Sequence, residues 1–390
     1  IGHCISHIID QHDVPVILDP VLASTSGGLC PDIAVQAIIT DCLLSKLTLL
    51  TPNLPELAQL VGTKIETAEQ VALATQALLS KGLSAGLVKG GHADSAWAAD
   101  FFVNETASFY CYHEKQLKSV RGTGCILATS LACYLAQGDD IRDAVILAKA
   151  YLNKGYRQAQ PLGRYHVFQH DDSDLILMDM PKLCYKSELM GQQFQFPSCP
   201  QRLGIYPVVD SSNWVAKLLK ENITTIQLRI KQGRANHRRE EVEKSVGYCD
   251  ESTAFYVNDE WQLAIEAGAY GVHLGQEDLD DADLVKIEQA GLRLGVSTHS
   301  YWELARALAV NPSYIALGPV FETSSKKMPF NPQGVERVEK WTRLLDEHYS
   351  LVAIGGIDLN RAKQLKQTGV GSVAMISAIT QAEDYKQATQ

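Results

Sequence analysis

Two aspartates stand where neighbouring strands of the sequence end. Asp259 closes the run YVND at 256–259, and Asp278 follows the run GVHLG at 271–275. Adjacent strands lie about 4.8 Å apart, so acids at their carboxyl ends can share one hard cation. Carboxylate oxygens are ligands that Mg²⁺ accepts, and bound Mg²⁺ usually serves a phosphate-bearing substrate. The pair therefore predicts a magnesium-assisted phosphate site, with two solvated loop carboxylates as the alternative.

Cations on the preceding strand fit the same chemistry. In QLRIK, the side chains of Gln227, Arg229 and Lys231 share one face because side chains alternate along a strand. Arginine suits bidentate contact with phosphate, and lysine suits a point-charge contact. We interpret this face as a cradle for a polyphosphate, with a strand end splayed into water as the alternative. Asn258, beside the first aspartate, can hold a heterocycle edge or a phosphate oxygen.

Eight short apolar runs, alternating with helical patterns, position these side chains. The predicted strands are 203–210, 225–231, 254–259, 271–275, 294–299, 314–321, 351–356 and 372–377. Eight β–α alternations in about 180 residues are typical of a compact (β/α)₈ TIM barrel. A doubly wound sheet would call for a Gly-rich turn after its first strand, and none follows VVD at 208–210.

Function in such a barrel lies at the carboxyl ends of the strands. Ser297 ends the fifth strand, and hydroxyl residues closing on Lys326 follow the sixth. Gly355 and Gly356 end the seventh, and the eighth ends at Ile376 and Ser377, where backbone N–H groups of this fold commonly bind phosphate. We therefore predict two anionic subsites, and with them two phosphorylated substrates.

The barrel half resembles the thiamine-phosphate synthase family. The motifs that carry the resemblance are QLRIK, YVND, GVHLGQEDL, GVSTH, GPVFETSSKK, AIGGI and AMISAI, in family order. The resemblance implies the condensation of 4-amino-2-methyl-5-(diphosphooxymethyl)pyrimidine with a thiazole phosphate, which yields thiamine phosphate and diphosphate. Glu322 and Ser325 depart from the family pattern, where Pro and Thr are usual.

The same resemblance implies a role for each matching residue. The pyrimidine diphosphate would be bound by Gln227, Arg229, Lys231, Asn258, Ser297 and Lys326. The thiazole phosphate would be bound by Thr323, Ser324, Ser325, Gly356, Ile376 and Ser377. Mg²⁺ would be held by Asp259 and Asp278.

The first half carries a second set of motifs. Strand-like runs at 14–20, 47–53 and 86–91 precede RGTGC, a Gly-rich turn that opens an apolar helix with Cys125 in its first turn. The N–H groups at such a helix start form an anion site, although a plain helix start is the more common meaning of GTGC. Asn53 ends the second run and Glu56 lies three residues further on, and Lys89 is close to the end of the third run.

Together with LDPV, these motifs resemble the ribokinase-like superfamily, specifically hydroxymethylpyrimidine phosphate kinase. The resemblance makes Cys125 the catalytic residue at the acceptor hydroxyl and implies ATP as co-substrate. It assigns ATP and phosphate binding to Asp19, Asn53, Glu56, Lys89, Gly122 and Gly124. Arg121 stands where this family usually has His.

Three segments are predicted along the chain. Residues 1–168 form a ribokinase-like α/β domain, 169–202 a linker with one helix around 175–190, and 203–390 the TIM barrel. A complete kinase of this family is longer at its N-terminus, so the resemblance implies an incomplete kinase half with little activity.

Composition narrows the functional class. The chain of 390 residues has 46% hydrophobic and 21% charged residues and a net charge of −10. An acidic balance disfavours nucleic-acid binding, and no apolar run reaches the length of a membrane span. The nine scattered cysteines fit reduced thiols. We expect a cytoplasmic, bifunctional enzyme of thiamine biosynthesis with small-molecule substrates; a homo-oligomer is compatible with the sequence.

Two alternatives remain at this point. In one, the synthase is joined to a non-catalytic docking or dimerisation module. In the other, the barrel is a non-catalytic sensor of thiazole phosphate. The paired aspartates disfavour the sensor, because sensing needs no metal for a leaving group.

Overall fold

The protein divides into two compact units. The structure, a computed structural model, describes residues 2–22, 33–90, 95–323, 332–345 and 347–389. The first unit comprises Ile1–Gln192 and the second Gln193–Gln390. Among the described residues, the first contains a six-stranded sheet and the second a closed barrel.

The sheet of the first unit changes direction half-way across. Its strands run in the order β1-β2-β3-β4-β5-β8, with parallel pairing from β1 to β3 and antiparallel pairing beyond. A separate hairpin is formed by β6 and β7. The bounds are β1 Ile17–Leu18, β2 Leu49–Leu50, β3 Ala85–Lys89, β4 Trp97–Asn104, β5 Ser108–Glu114, β6 Gln160–Leu162, β7 Tyr165–Val167 and β8 Lys182–Cys184.

Helices cover this sheet. They are α1 Gly2–Asp10, α2 Ile33–Ile38, α3 Leu54–Val61, α4 Ala68–Leu79, α5 Thr123–Ala136 and α6 Ile141–Gln158. Capping boxes begin α3 at Asn53 and α4 at Thr67, where each cap satisfies backbone N–H groups that have no partner inside the helix. Within the described ranges, no helix is long and apolar enough to cross a bilayer.

The segment predicted as a linker is partly structured. Its residues 182–184 form β8, which pairs with β5 at Tyr110, Cys111 and Tyr112. The helix predicted around 175–190 is wrong, since only two 3₁₀ turns, Leu177–Asp179 and Ser187–Leu189, occur there. Sheet pairing at β8 supplies the backbone partners that a helix would otherwise provide.

The barrel prediction is confirmed. Eight parallel strands close on themselves in the order β9 to β16, with β16 paired to β9. The strands are β9 Gly204–Val209, β10 Thr225–Leu228, β11 Ala254–Asn258, β12 Gly271–Leu274, β13 Arg293–Thr298, β14 Tyr314–Leu317, β15 Ser350–Ile354 and β16 Ser372–Met375. The helices are α7 Ser212–Leu219, α8 Ala235–Tyr248, α9 Trp261–Ala267, α10 Asp278–Asp281, α11 Leu284–Gln289, α12 Tyr301–Val310, α13 Gly334–Leu345, α14 Leu359–Lys366, α15 Ser377–Thr380 and α16 Tyr385–Ala388.

Aromatic rings fill the barrel interior. Tyr206, Tyr256 and Tyr314 belong to its buried core, and the ring of Tyr314 meets the other two edge to face at 6.0 and 5.2 Å between centroids. Gly295 on β13 lies opposite Tyr314 on β14. A Cβ at Gly295 would fall 2.1 Å from Cζ of that ring, so only glycine leaves room for it.

Gly295→Ala is expected to destabilise the barrel. The added methyl overlaps the Tyr314 ring, and overpacking a core costs about 1–3 kcal/mol. Urea denaturation of the whole chain measures the loss. The matched control is Gly247→Ala in α8, where nothing lies within 4 Å of the added Cβ and helix propensity favours alanine. Equal stability of the two variants would contradict the packing argument.

Candidate active site

The two aspartates predicted from the sequence meet at the barrel mouth. The backbone of Asp259, just after β11, has φ of 63°, a left-handed conformation that aspartate tolerates better than most residues. Asp278 begins α10, and its Oδ2 accepts a hydrogen bond from the Gly275 backbone N–H at 3.0 Å. Partial burial, then the neighbouring Asp278 carboxylate, raises the pKa of Asp259 to about 6, against the opposing charge of Arg229. The pair therefore carries negative charge that a cation would relieve.

The two cations of the predicted polyphosphate cradle line a cavity. About 430 Å³ of space is enclosed by residues that include Arg229 and Lys231 after β10 and Ile376 after β16. Asp210 and His237 also line it. The cations predicted for one subsite and a residue predicted for the other thus border the same space.

Two further predicted residues are tied to the barrel interior. The Gln227 side chain is buried, and its Nε2 donates to the hydroxyl of Tyr206 at 3.3 Å. The Ser297 hydroxyl lies 2.8 Å from Nε2 of His273. Asn258 ends β11 immediately before Asp259. Both Gln227 and Ser297 are thus held by buried polar partners rather than by solvent.

The loops after β14 and β15 approach each other. Gly356 has φ of 67°, and a Cβ there would lie 2.4 Å from the carbonyl oxygen of Glu322. Arg361 donates to the Gly356 carbonyl at 2.6 Å. Thr323 is the last described residue of its loop and Ser377 begins α15. The predicted residues Ser324, Ser325 and Lys326 lie outside the described residues.

A second cavity, of about 600 Å³, lies in the first unit. It brings together all seven residues predicted there: Asp19, Asn53, Glu56, Lys89, Gly122, Gly124 and Cys125. Four more cations also line it: Lys115, Lys118, Arg121 and Lys149. Four acids line it as well, namely Asp19, Glu56, Asp100 and Glu114, so the cavity carries charges of both signs.

Lys89 lies close to two acidic side chains in this cavity. Its Nζ donates to Asp19 Oδ1 at 2.5 Å and lies 4.0 Å from Glu56 Oε2. A Cβ at Gly124 would lie 3.1 Å from the same Nζ, so the start of α5 packs directly on the lysine. Gly122 is the N-cap residue of α5 and has a left-handed backbone conformation. No side chain there hydrogen-bonds to the first N–H groups of the helix.

Asn53 and Glu56 have a structural role that accounts for their spacing. Asn53 Oδ1 accepts from the Glu56 backbone N–H, and Glu56 Oε2 accepts from that of Asn53, both at 2.8 Å. Glu56 is 3% exposed, and burial raises its pKa despite these bonds. The capping box therefore aims a buried carboxyl group at the cavity.

Comparison with known proteins agrees with this division. Residues 205–379 match the thiamine monophosphate synthase family and residues 1–170 the phosphomethylpyrimidine kinase family. The thiamine-phosphate synthase of Serratia proteamaculans is 52% identical over 195 residues, which are 50% of this chain and 92% of that protein. The Citrobacter koseri synthase is 52% identical over 198 residues, or 50% and 93%.

The chain belongs to the thiamine-phosphate synthase family. Its first half carries a phosphomethylpyrimidine kinase domain. The matches support a fused enzyme of thiamine biosynthesis and do not favour the docking-module or sensor alternatives.

Solved structures resemble each half. Thiamine phosphate pyrophosphorylase from Pyrococcus furiosus is 29% identical over 48% of this chain and 92% of its own, with a TM-score of 0.43. A Staphylococcus aureus pyridoxal kinase is 24% identical over 43% of this chain, with a TM-score of 0.40. The present chain spans 63% of that kinase.

The synthase site fits Mg²⁺. In the described part of the chain, no group of three or more His, Cys, Asp or Glu side chains could hold a metal. Mg²⁺ commonly takes one or two protein carboxylates and completes its shell with water and substrate phosphate. Asp259 and Asp278, two carboxyl groups in contact, supply that donor set. Both families generally use Mg²⁺, and the kinase family uses ATP.

Several residues at the synthase site escaped prediction. Asp210 and His237 line the cavity, while Tyr206, His273 and Tyr314 form the buried polar interior. A histidine inside the apolar strand GVHL was the available signal, because a polar side chain in a buried strand calls for a partner. The tyrosines carried no such signal, since tyrosine is a common strand residue.

Proposed function

We propose that the barrel condenses a pyrimidine methyl diphosphate with a thiazole phosphate to form thiamine phosphate and diphosphate. The observation that carries the proposal is the contact between Asp259 and Asp278 beside the Arg229 charge. Paired acids next to a cation are an arrangement that holds a metal diphosphate.

The reaction divides between a departing and an attacking group. The bond from the methylene carbon to the diphosphate oxygen breaks, and both electrons leave with the diphosphate. Arg229 and Lys231 neutralise the charge that develops there. Mg²⁺ bound at Asp259 and Asp278 would add Lewis-acid stabilisation of the same oxygens. The electron-rich aminopyrimidine stabilises the methylene cation.

The second half of the reaction needs no protein base. The thiazole nitrogen already has a free electron pair, which forms the new carbon–nitrogen bond. The protein has only to hold the two substrates in line. Correct orientation of two bound reactants by itself accelerates the reaction between them. Thr323, Ser324, Ser325, Gly356, Ile376 and Ser377 are proposed to bind the thiazole phosphate, and Gln227, Asn258, Ser297 and Lys326 the pyrimidine.

The test is an assay of the purified whole chain. Thiamine phosphate should form from the two substrates with Mg²⁺ and cease when EDTA removes the metal. A folded chain that forms no product at any Mg²⁺ concentration would overturn the catalytic proposal.

We propose further that the first unit binds ATP in its 600 Å³ cavity. The support is Lys89, held by Asp19 and close to Glu56, at the start of α5. Cys125, in the first turn of that helix, is the proposed catalytic residue at the acceptor hydroxyl. Asn53, Gly122 and Gly124 complete the proposed phosphate site.

Lys89→Met is expected to remove stabilisation of the first unit by ATP. A ligand present at 100 times its dissociation constant stabilises the folded state by about 2.7 kcal/mol, and loss of the cation removes that increment. Thermal unfolding with and without Mg-ATP measures it. Lys81→Met is the control, because Lys81 is exposed and is not among the cavity residues. An unchanged ATP increment in Lys89→Met would contradict the proposed site.

A further inference from the structure

Five side chains form a continuous hydrogen-bonded chain across the barrel interior. Gln227 Nε2 donates to the Tyr206 hydroxyl at 3.3 Å, and that hydroxyl lies 2.9 Å from the hydroxyl of Tyr314. The Tyr314 hydroxyl lies 2.7 Å from His273 Nδ1. His273 Nε2 lies 2.8 Å from Ser297 Oγ. Both ends are residues proposed to bind the pyrimidine, whereas the three middle residues have no assigned role.

We call these five side chains the relay. Its three middle residues are buried away from water. Tyr206, Tyr314 and His273 are 1%, 0% and 5% exposed. A buried polar group left without a partner costs about 1–3 kcal/mol, so every hydroxyl and ring nitrogen of the relay must use its neighbour. Both ring nitrogens of His273 face hydroxyl groups, those of Tyr314 and Ser297. A buried imidazole with such partners is neutral, and a neutral imidazole has one N–H donor.

These conditions leave two directions for the protons. With Gln227 donating inward, Tyr206 must donate to Tyr314, and Tyr314 to His273 Nδ1. The single imidazole proton then resides on Nε2 and is donated to Ser297. If the amide turns over so that its oxygen faces Tyr206, every bond reverses and Ser297 donates to the ring instead.

The rings cannot easily leave the relay. His273 stacks on Tyr314 with centroids 5.6 Å apart and planes at 21°. Tyr256 meets the Tyr314 ring edge to face at 5.2 Å. On β13, Gly295 lies opposite the same ring without space for a Cβ. Close packing therefore keeps each hydroxyl in line with its neighbour.

We propose that this relay is a polarity lock, in which the orientation of the Gln227 amide determines whether the Ser297 hydroxyl donates or accepts toward the ligand. With Gln227 Nε2 toward Tyr206, the amide oxygen takes no part in the relay and Ser297 keeps its O–H proton for another acceptor. The two ends then offer one acceptor and one donor. An aminopyrimidine edge, with an amino donor beside a ring-nitrogen acceptor, matches that pair. This assignment of the ligand rests on the proposed synthase function.

The lock also disfavours mismatched ligands. An oxo-pyrimidine presents a carbonyl acceptor and a ring N–H donor, so it requires both ends to reverse together. A ligand that needs only one end reversed leaves a buried donor or acceptor unpaired. Tyr206 and Tyr314 are thus positioning residues. They couple the Gln227 contact with the ligand to the Ser297 contact, so that a ligand must match both.

The polarity is measurable without any substrate. In the full chain labelled with ¹⁵N in its histidine rings, His273 is expected to give the Nε2–H tautomer, with His273→Asn assigning its signals among the 11 histidines. In Gln227→Glu, at a pH high enough to ionise the buried carboxyl group, the carboxylate only accepts, so the relay should reverse and His273 should give the Nδ1–H tautomer. Adding Tyr206→Phe breaks the relay and should restore the Nε2–H tautomer.

A matched control comes from the same cluster. Tyr256→Phe removes a buried hydroxyl that is not part of the relay, and it should leave the tautomer unchanged. The same tautomer in the wild type and Gln227→Glu would overturn the lock, and an Nδ1–H tautomer in the wild type would overturn its assigned direction. Because the spectra need no turnover, a chain with the expected tautomers but no synthase activity would overturn the proposed function and keep the lock.

A second readout separates positioning from mere structure. Tyr206→Phe uncouples the two ends, so the preference in kcat/KM for an amino- over an oxo-substituted pyrimidine diphosphate should fall about tenfold, within the range that single contacts provide. Tyr256→Phe should keep the preference. A uniform loss of kcat for both substrates in Tyr206→Phe, with the preference intact, would contradict the positioning role.

Discussion

Asp259→Asn is expected to lower kcat/KM of the synthase reaction about a thousandfold, the upper range for loss of one group that stabilises charge in a transition state. The amide oxygen is a poorer ligand than a carboxylate for a hard cation, and the departing diphosphate would lose part of its neutralisation. Steady-state assays across a range of Mg²⁺ concentrations measure the effect. Excess Mg²⁺ should restore only part of the activity.

Asparagine is the right replacement for structural reasons. The backbone of Asp259 has φ of 63°, where asparagine and aspartate are favoured over alanine. The variant therefore keeps the turn after β11 and removes only the charge. Asp281→Asn in α10 is the matched control, since Asp281 is an exposed acid of the same region, and it should retain full activity.

Asp259→Asn should lower activity without lowering the stability of the folded chain. A pKa near 6 in the folded chain lies above the usual 3.8 of aspartate, so the folded state holds this proton more tightly than the unfolded state. Stability from this group is present at low pH and is lost as pH rises through about 6. At pH 8 the metal-free Asp259→Asn variant should thus be at least as stable as the wild type. A lower melting temperature would mean that the activity loss reflects misfolding.

The barrel was predictable because its information is local. Each strand is an apolar run, and each run is followed within a few residues by a polar residue at its carboxyl end. Asp259 and Asp278 needed only the rule that neighbouring parallel strands present their ends together. The contact seen between them follows directly from that rule.

The polar interior was not predictable in the same way. Tyr206 and Tyr314 are 108 residues apart in the chain, and their hydroxyls meet only because the barrel closes. Strand alternation places each side chain on the inner face but does not say which inner residues lie opposite each other. That depends on the stagger of the strands around the barrel.

The first unit shows a different limit. The family resemblance assigns Asn53 and Glu56 to ATP binding, yet their three-residue spacing is also that of a capping box, and the structure shows the capping box in full. The two roles are compatible, since the cap holds the Glu56 carboxyl in the cavity. The wrong helix near 175–190 has another cause: the pairing of β8 with β5 is non-local and leaves no periodic signal.

Lys149→Met is expected to cost the first unit about 3–5 kcal/mol of its free energy of unfolding, the usual penalty for stranding a buried charge. Lys149 in α6 donates to Asp100 in β4 at 2.6 Å, and their side chains are 5% and 6% exposed. The Asp100 carboxylate raises the pKa of Lys149 and so opposes the effect of burial. Gly90 N–H, at 3.1 Å from Asp100, is too weak a partner to replace the lysine.

A matched exposed pair on the same helix separates burial from charge. Arg142 and Asp140 are in contact at 3.0 Å with side chains 42% and 56% exposed, and Arg142→Met should cost about 1 kcal/mol or less. Urea unfolding followed by ¹⁹F signals of fluorotryptophan measures both, because Trp97 is the sole tryptophan of the sequence before residue 193. The double variant Asp100→Asn with Lys149→Met should recover much of the loss, since it removes the stranded charge. Equal losses of unfolding free energy in Lys149→Met and Arg142→Met would contradict the argument that burial makes the Lys149–Asp100 pair costly to break.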